Sequence, residues 1–258
     1  MKLIFLDTET TGLGEYDRLC QVAYKMQDEE MVSGMYNPPV EMGVEAMAVH
    51  HITPAMVRDL PPFVGTPEHE YLVKTLKKKD IVMVAHNAPF DIKMINREGV
   101  QVANYIDTIK IARYFLKEEG KIKKFNLQAL RYSLNIELND SKAHDASGDV
   151  EVLEALFNYL YEKAIEVARA KCAVTGKPMP TKNQIIARFI DISISPENPA
   201  TVKITFGKHK DKFIKDLVVE APDYLKWWLS AQDGKENDRH NPNLKETVIF
   251  YLTKYGKL

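Results

Sequence analysis

Short runs of apolar residues alternate with longer amphipathic segments along the first two thirds of the chain. Runs of about four to eight apolar or β-branched residues bounded by turn residues are typical of buried strands. Such runs predict strands at residues 2–6, 19–26, 31–36, 81–86 and 102–106. The polar stretch Asp28-Glu29-Glu30 separates the second run from the third, which predicts a β-hairpin.

Helices are predicted where apolar residues recur three and four positions apart. Thr53-Pro54 and Thr66-Pro67 each place a capping hydroxyl before a proline, which is a typical helix start. Pro89 begins another helix, which ends at Gly99. Helical periodicity also covers residues 107–117, 126–134 and 145–172. Strands that alternate with helices predict an α/β fold, with a mixed sheet flanked by helices.

The pattern changes after residue 174. Residues 175–184 contain two prolines, a glycine and no apolar periodicity, so we expect a linker there. The expected organisation is a first domain at 1–174, this linker, and a small basic α+β domain at 185–258. In the last domain the pattern predicts strands at 190–194 and 201–206 and helices at 222–230 and 242–255.

Composition limits the possible classes of protein. Of the 258 residues, 45% are hydrophobic and 28% are charged, which is typical of a globular protein and excludes a disordered or collagen-like chain. No apolar run approaches the roughly 20 residues of a membrane helix. Cys20 and Cys172 lie far apart, which favours a reducing compartment, and Asp7 comes too early for a signal peptide. We therefore expect a soluble, cytoplasmic protein with no membrane partner.

The net charge of −1 is distributed unevenly. Residues 1–176 hold 21 Lys+Arg and 26 Asp+Glu, a net charge of −5, whereas residues 177–258 hold 14 and 10, a net charge of +4. A basic C-terminal part favours an anionic partner. The densest cationic stretch there comprises Lys208, Lys210, Lys212 and Lys215. A solvated lysine-rich surface is the alternative interpretation.

Acidic residues lie at the predicted strand ends and helix starts of three short motifs. These motifs are DTETTG at 7–12, HNAPFD at 86–91 and HDASGD at 144–149. Asp7 and Glu9 are two positions apart in a strand, so both carboxylates project from one face. Asp91 and Asp149 each fall in the first turn of a helix, where a carboxylate also offsets the helix dipole. Taken singly, each motif has such an ordinary explanation.

Taken together, the four carboxylates predict a site for divalent cations. Clustered carboxylates without basic partners repel one another unless cations neutralise them. Two cations about 3.5–4 Å apart can hold the attacking and leaving oxygens of a phosphodiester during in-line displacement. His144, whose pKa can lie near neutrality, suits deprotonation of the attacking water.

In this order and spacing, the three motifs resemble the Exo motifs of the DEDDh 3′→5′ exonucleases, the DnaQ-like family. AMAVHHITPAMV at 46–57 and DTIKIAR at 107–113 fit the same family. The resemblance implies a ribonuclease-H-like fold over about residues 1–172. It also implies that Asp7, Glu9, Asp91 and Asp149 bind two Mg²⁺ or Mn²⁺ ions and that His144 is the general base.

Residues 204–229 are similar to the C-terminal segment of one bacterial branch of this family. The shared features are an FGK turn with basic residues, a PDYL tract and a tryptophan. Asp211 stands at a position of this turn where glycine is expected, which makes the geometry of the turn an open question.

The residues expected to bind the substrate surround the acidic motifs. They are Thr8, Thr10, Thr11, Gly12, Leu13, His50, Asn87 and Phe90. The turn at 10–13 is expected to hold the 3′-terminal sugar through its backbone amides and to place an apolar side chain against the last base. Such stacking contributes about 1–3 kcal/mol and tolerates any base. An ordinary loop histidine is the alternative for His50, and a core position is the alternative for Phe90.

The sequence thus predicts a metal-dependent 3′→5′ exodeoxyribonuclease that releases 5′-mononucleotides from DNA ends, with single-stranded ends preferred. An RNA-trimming exoribonuclease and a polymerase-associated proofreader remain open, and they would use the same chemistry. A non-catalytic nucleic-acid-binding protein is the third possibility. The complete set of four acids and His144 argues against it.

Overall fold

A computed structural model of the chain describes residues 1–116, 122–138, 146–196, 202–204, 207–231 and 244–258. Within these ranges the chain forms two compact units, Met1–Ser193 and Ile194–Leu258. The predicted general base, His144, lies outside the described residues. Among the helices of the described ranges, none combines the length and the apolar character that crossing a bilayer requires.

The first unit contains a mixed five-stranded sheet, as the sequence predicts. Its strands are β1 (Lys2–Thr10), β2 (Leu19–Met26), β3 (Met31–Met35), β4 (Ile81–Ala85) and β5 (Tyr105–Asp107), in the order β3-β2-β1-β4-β5. β1 pairs antiparallel with β2 and parallel with β4, and β5 extends the parallel part. The carboxyl ends of β1, β4 and β5 therefore lie at the same edge of the sheet.

Helices cover this sheet in the described part of the first unit. They are α1 (Val44–His50), α2 (Pro54–Val57), α3 (Pro67–Thr75), α4 (Ala88–Arg97), α5 (Thr108–Leu116), α6 (Leu127–Ser133), α7 (Ala146–Thr175) and α8 (Lys182–Ile194). Helices α2 and α3 begin at the predicted prolines. The Thr66 hydroxyl caps α3 by accepting the backbone N–H of His69, whereas the Thr53 side chain forms no cap hydrogen bond. Helices α1 and α8 were not predicted.

Both faces of the sheet are buried, and successive residues of β1 project apolar side chains to alternate faces. Leu3 and Phe5 belong to the core cluster that includes α7, where the rings of Phe5 and Phe157 meet edge to face at 5.6 Å. Ile4 and Leu6 belong to a second cluster on the other face. Burial on both faces explains why these strands appear in the sequence as continuous apolar runs rather than as alternating ones.

The predicted strand at 190–194 is wrong, because these residues end helix α8. This helix buries Ile185, Ile186 and Phe189 in the core of the first unit. The division between the two units accordingly falls after Ser193, and the expected linker at 175–184 lies within the first unit. The net charge of residues 194–258 is therefore +2, from 11 Lys+Arg and 9 Asp+Glu, rather than the +4 of residues 177–258.

The second unit is built from α9 (Ile214–Glu220), α10 (Pro222–Ala231) and α11 (Leu244–Lys254), with a 3₁₀ turn at Gly207–His209. Of the predicted strand at 201–206, the described residues 202–204 contribute an isolated antiparallel bridge between Lys203 and Phe213. The turn between them is closed, since the N–H of Asp211 donates to the carbonyl of Ile204 at 2.7 Å. Asp211 has φ 68°, a left-handed conformation that explains why glycine is expected there and that aspartate tolerates.

Candidate active site

Three of the four predicted metal ligands meet at the carboxyl end of β1. Asp7 and Glu9 share one face of the strand because alternate residues project in the same direction. Asp149 comes from the first turn of α7. One carboxylate oxygen from each residue lies within 4.8 Å of the other two, and all three side chains are partly buried.

Asp91, the fourth predicted ligand, is held beside this group by a different contact. It lies in the first turn of α4, is only 3% exposed, and its Oδ1 accepts a hydrogen bond from the Thr8 hydroxyl at 2.8 Å. Thr8 separates Asp7 from Glu9 in β1, so this bond connects α4 to the strand that carries both. Burial raises the pKa of Asp91 to about 7, against the opposing effect of the Thr8 hydrogen bond.

The chemistry of these donors fits a divalent cation. Three carboxylates within 4.8 Å concentrate negative charge, and burial disfavours the ionised form of Asp91. A bound cation reverses both effects, because it neutralises the charge and stabilises the carboxylate. Hard oxygen donors of this kind suit Mg²⁺, Mn²⁺ and Ca²⁺ rather than softer metals.

Gln128 is a site residue that the sequence did not predict. Its amide Nε2 donates to Oδ1 of Asp149 at 2.6 Å from helix α6, 21 residues earlier in the chain. Its other amide atom, Oε1, is buried and has no hydrogen-bond partner among the described residues. Gln128 therefore orients a carboxylate of the acidic group without belonging to it. No feature of the local sequence points to this role.

The predicted substrate-binding turn uses its hydroxyl groups internally. The Thr10 hydroxyl donates to the carbonyl of Gly12 at 2.7 Å, and the Thr11 hydroxyl donates to Oδ1 of Asp17 at 2.6 Å. Both threonines are buried. A Cβ atom at Gly12 would lie 2.6 Å from the Asp17 carboxylate, so a side chain there would displace this carboxylate from its bonds to Thr11 and Gly14. Leu13 is 49% exposed and is the side chain of this turn available to a ligand.

Helix α4 anchors the same turn from the other side. Arg97 donates through Nη1 to the carbonyls of Gly14 and Asp17 at 2.9 and 2.8 Å. Arg18 forms a two-point ion pair with Glu98, with distances of 2.7 and 2.5 Å. Since α4 also carries Asp91, one helix positions both a predicted ligand and the exposed turn.

The ring of His50, which is expected from the sequence to lie near the substrate, is bonded within the protein. It is 6% exposed, and both ring nitrogens have partners within the protein. Nε2 donates to the carbonyl of Thr10 at 3.1 Å, and Nδ1 accepts the backbone N–H of Ile52 at 2.9 Å. Burial lowers the pKa of His50, which favours this neutral form. His50 therefore supports the turn at Thr10.

Asn87 and Phe90 lie at the start of α4. Asn87 is the N-cap residue, with φ 73°, and its backbone N–H donates to Oδ1 of Asp107 at 3.0 Å. Its side-chain Oδ1 is buried and lacks a hydrogen-bond partner among the described residues, so this oxygen can accept a hydrogen bond from a ligand. Phe90 packs against the apolar cluster on its face of the sheet, in agreement with the alternative interpretation of a core position.

His86, which follows β4 and is partly buried, belongs to a hydrogen-bonded framework of partly and fully buried residues at this edge of the sheet. Its Nε2 donates to the carbonyl of Phe125 and its Nδ1 accepts from the Thr108 hydroxyl, both at 2.8 Å. Burial lowers the pKa of His86 to about 4, so the ring is neutral at physiological pH. The first residue of the HNAPFD motif therefore has a structural role.

Asp107 is the second buried member of this framework. It ends β5, is fully buried and accepts the N–H groups of Asn87 and Ile109 through Oδ1. Its own N–H donates to the Ser193 hydroxyl at 2.8 Å, and Lys110 donates to the Ser193 carbonyl at 2.7 Å. Burial raises the pKa of Asp107, although Lys110 opposes this effect. The end of α8 is thus bound to the strand edge that holds the site.

The sequence of this chain is similar to those of several known proteins. A family model described as an exonuclease (RNase T) family matches residues 4–157. Exodeoxyribonuclease 10 of Escherichia coli is 28% identical over 255 residues, which covers 97% of this chain and 98% of that protein. DNA polymerase III subunit epsilon of Rickettsia typhi is 27% identical over 228 residues, covering 74% of this chain and 96% of that protein.

Solved structures share the fold. A structure of exonuclease X in complex with 5′ overhanging duplex DNA matches with a TM-score of 0.52 at 24% identity, covering 74% of this chain and 99% of that one. Cell-death related nuclease 4 matches with a TM-score of 0.51 at 15% identity, covering 62% and 64%. The predicted ribonuclease-H-like architecture is confirmed. Because the family model spans more than half of the chain and includes all four acidic positions, this chain belongs to the RNase T exonuclease family.

Proposed function

We propose that the protein is a metal-dependent 3′→5′ exodeoxyribonuclease that releases 5′-mononucleotides from DNA ends, with single-stranded ends preferred. The observation that carries the proposal is the grouping of Asp7, Glu9 and Asp149 at the end of the central strand. A carboxylate group of this kind has little affinity for a phosphodiester by itself. It requires cations, and cations are what phosphodiester hydrolysis uses.

The acidic residues would hold the metal ions, which we propose to be two Mg²⁺ or Mn²⁺ ions. Asp7, Glu9 and Asp149 would be the first ligands, and Asp91 would be the fourth. When bound, the ions neutralise charge on the phosphate and activate water. Thr8 and Gln128 orient Asp91 and Asp149 through the hydrogen bonds of 2.8 and 2.6 Å. The anchored turn presents Leu13 for contact with the terminal base.

We assign the general base to His144, two residues before helix α7 begins at Ala146. Its place in the HDASGD motif, five residues ahead of Asp149, supports the assignment. A histidine with a pKa near neutrality can accept the proton of the attacking water. His50 and His86 are unsuited to this task, because the ring nitrogens of both are engaged in hydrogen bonds within the protein.

DNA is favoured as the substrate by the extent of similarity to exodeoxyribonuclease 10, which covers 97% of this chain. A proofreading exonuclease is the second candidate, because the Rickettsia typhi polymerase subunit has a similar identity of 27%. That alignment covers 74% of this chain, so it leaves more of the chain without a counterpart. The similarity to exodeoxyribonuclease 10 extends over more of this chain than the similarity to the polymerase subunit, which favours an exonuclease that acts without a polymerase.

Labelled oligonucleotides test the proposal. Matched DNA and RNA strands carrying either a 5′ or a 3′ label would be incubated with the protein and Mg²⁺. A 3′→5′ exonuclease releases the 3′ label at once as a mononucleotide and shortens the 5′-labelled strand step by step. We expect faster hydrolysis of DNA than of RNA, and an RNA preference would instead support the RNA-trimming alternative.

Metal dependence is checked in the same assay. Exhaustive chelation should abolish hydrolysis, and Mg²⁺ or Mn²⁺ but not Ca²⁺ should restore it, because Ca²⁺ prefers six to eight looser ligands. Asp7→Asn removes one carboxylate with little change of shape and should abolish activity. The exposed Asp59→Asn is the matched control and should leave activity unchanged. Full activity in chelator or in Asp7→Asn would refute the metal-dependent mechanism.

A further inference from the structure

A row of aromatic rings lies on the second unit, in which Trp227 is exposed and His209 and Tyr224 are partly buried. The ring centroids of His209 and Tyr224 are 4.4 Å apart, and those of Tyr224 and Trp227 are 5.7 Å apart. Tyr224 and Trp227 share a face of α10 because they are three positions apart. The row therefore connects the 3₁₀ turn to this helix.

Trp227 projects into solvent although the neighbouring tryptophan is buried. Trp227 is 61% exposed, whereas Trp228 is 4% exposed and packs in the core of the unit. Leu225 and Leu229 complete the buried face of α10. Of the two adjacent indoles, that of Trp228 packs in the core, whereas that of Trp227 lies largely in solvent.

The backbone of the 3₁₀ turn approaches Tyr224 closely. Gly207 has φ 64°, and a Cβ atom there would lie 2.6 Å from the Tyr224 hydroxyl oxygen. The turn therefore needs glycine both for its conformation and for its clearance from the ring. The middle ring of the row thus lies close to the turn that carries His209, whose own ring is 4.4 Å away.

Lysine side chains accompany the aromatic residues of this segment. Nζ of Lys208 lies 5.8 Å from the centroid of the Tyr224 ring. Nζ of Lys203 and Nζ of Lys215 lie 4.8 and 5.5 Å from the centroid of Phe213. Among the residues that the structure describes, these three lysines form no ion pair with a carboxylate. Their charges are therefore available to an anion.

Two nearby lysines behave differently. Lys212 lies 3.6 Å from Glu220, and Lys226 lies 4.0 Å from Asp223. Both charges are thus partly compensated within the unit. The contrast separates the lysines that could bind an anion from those that already have acidic partners, although the net charge of the unit is only +2.

We propose that the surface formed by His209, Tyr224, Trp227 and Lys208 binds single-stranded nucleic acid, and that Lys203 and Lys215 beside Phe213 add contacts to its phosphates. Unpaired lysines attract phosphates, and an exposed indole stacks on an unpaired base whatever its identity. Lys208 and Trp227 both contact the Tyr224 ring, so a cation and a stacking face lie side by side. The phosphates of a duplex can also bind the lysines, but the faces of its paired bases are stacked inside the helix and are not available to the indole.

The proposal extends the proposed exonuclease function, because the protein would hold a strand at a second place besides the acidic site. It depends on that function only for the biological source of the strand. Binding can be measured with hydrolysis switched off, so each idea can fail while the other stands.

Intrinsic fluorescence provides the test, because Trp227 and Trp228 are the two tryptophans of the chain. The full-length protein in excess chelator would be titrated with an unlabelled oligothymidylate of about 12 nucleotides, within the usual range of site sizes. We expect quenching of the long-wavelength emission of exposed Trp227, with the emission of buried Trp228 unchanged. A blunt duplex of equal length should produce no such quenching.

Substitutions define the site. Trp227→Ala should weaken binding of the oligonucleotide by about fivefold or more, as expected for the removal of one stacked base. Phe250→Ala is the matched control, since Phe250 is 44% exposed and lies 6.0 Å from Nζ of Lys254 on α11. Lys208→Gln should reduce the salt dependence of binding by about 0.7 in slope. Lys226→Gln, which removes a paired lysine, should change the slope less.

Trp227→Phe keeps an aromatic face and guards against misfolding of the alanine variant. It should bind with nearly the affinity of the unchanged protein while the quenching disappears. Quenching that persists in Trp227→Phe would come from Trp228 and would overturn the proposal. Equal affinity of Trp227→Ala and the unchanged protein would overturn it as well. If binding and quenching are found but the ladder assay shows no hydrolysis, only the exonuclease function fails.

Discussion

Gln128 shows at the scale of one residue how a contact outside a ligand set can control it. Its Nε2 lies 2.6 Å from Oδ1 of Asp149, and α6 supplies it from outside the acidic motifs. Residues that orient metal ligands typically change metal affinity or activity by 10–100-fold when replaced. We therefore expect Gln128→Met, which keeps the length of the side chain, to raise the Mg²⁺ concentration needed for half-maximal hydrolysis by about 10–100-fold.

The exposed Gln101→Met is the control for this substitution. It should leave the Mg²⁺ titration and the thermal stability unchanged. A purely structural role of Gln128 predicts a lower melting temperature with the same half-maximal Mg²⁺ concentration. That result would remove Gln128 from the metal site.

His86 predicts a pH dependence of stability. Burial lowers its pKa to about 4 in the folded protein, whereas the unfolded chain titrates near 6.5. Between these values the unfolded state binds a proton that the folded state excludes. The contribution of His86 to the free energy of unfolding should therefore fall as the pH is lowered from about 6.5 to about 4, with a slope approaching about 1.4 kcal/mol per pH unit. The raised pKa values of Asp91 and Asp107 contribute with the opposite sign, in the protein with and without His86.

Comparison with His86→Gln isolates this contribution. Glutamine retains a donor for the carbonyl of Phe125 but does not titrate. His50, whose pKa is also lowered, contributes with the same sign in both proteins. In urea unfolding from pH 7 to pH 4.5, the free energy of unfolding of the unchanged protein should fall relative to that of the variant as the pH is lowered. Parallel curves would show that His86 does not control acid sensitivity.

The acidic residues could be predicted from the sequence because their chemical type and motif carry the information. Asp7 and Glu9 follow from strand periodicity, and Asp149 follows from its place in a helix start. The role of His50 could not be predicted in the same way. Its two partners, Thr10 and Ile52, are fixed only when α1 packs beside the end of β1. The sequence around a histidine does not show whether its ring nitrogens bond within the protein or bind a ligand.

At the scale of elements, α8 was missed because its local sequence favours a strand. Residues 190–194 contain three isoleucines, which are β-branched residues with high strand propensity. Tertiary packing decides against that preference. Ile185, Ile186 and Phe189 recur at helical spacing and bury one face of α8 in the core of the first unit. The helical spacing of apolar residues over the whole of 182–194 indicates the helix more reliably than the strand propensity of the last five residues.

Phe189 tests how much α8 contributes to the first unit. Its side chain is 1% exposed, and its ring meets those of Phe157 and Phe115 at 5.9 and 6.1 Å. Phe189→Ala should lower the free energy of unfolding by about 3–5 kcal/mol, because the substitution removes buried apolar area and leaves a cavity. Urea unfolding followed by circular dichroism provides the measurement.

The neighbouring Arg188→Ala is the matched control. Arg188 is exposed and contacts the ring of Tyr114 at 5.7 Å. A change within about 0.5 kcal/mol is expected, as for most surface substitutions. If both variants unfold at the same urea concentration as the unchanged protein, α8 does not stabilise the core as its packing indicates.

At the scale of the whole molecule, the position of α8 changes the distribution of charge. Residues 1–193 carry a net charge of −3 and residues 194–258 carry +2, which sum to the −1 of the chain. The larger asymmetry inferred from a boundary at 176 came partly from Lys177, Lys182 and Arg188, which belong to the first unit. The net charge of the second unit is therefore weaker evidence for nucleic-acid binding than the position of its unpaired lysines beside aromatic rings.

Two truncations separate the structural contribution of α8 from the binding contribution of the second unit. A chain that ends after Gln184 lacks most of α8, including its three buried apolar side chains, and should melt at a lower temperature than the full chain. A chain that ends after Pro196 keeps α8 and the bonds between Ser193 and the end of β5. We expect this longer chain to retain cooperative unfolding and hydrolysis of short oligonucleotides.

The longer truncation should nevertheless bind long single strands more weakly, because it lacks the unpaired lysines and Trp227. For every phosphate that the shortened chain no longer binds, the salt slope of binding should decrease by about 0.7. Affinities of the full and shortened chains for the same oligothymidylate, measured in chelator over a range of salt concentrations, provide the comparison. An unchanged slope would mean that the second unit does not bind phosphates. Early melting of the chain ending at Pro196 would mean instead that the first unit depends on the second for its stability.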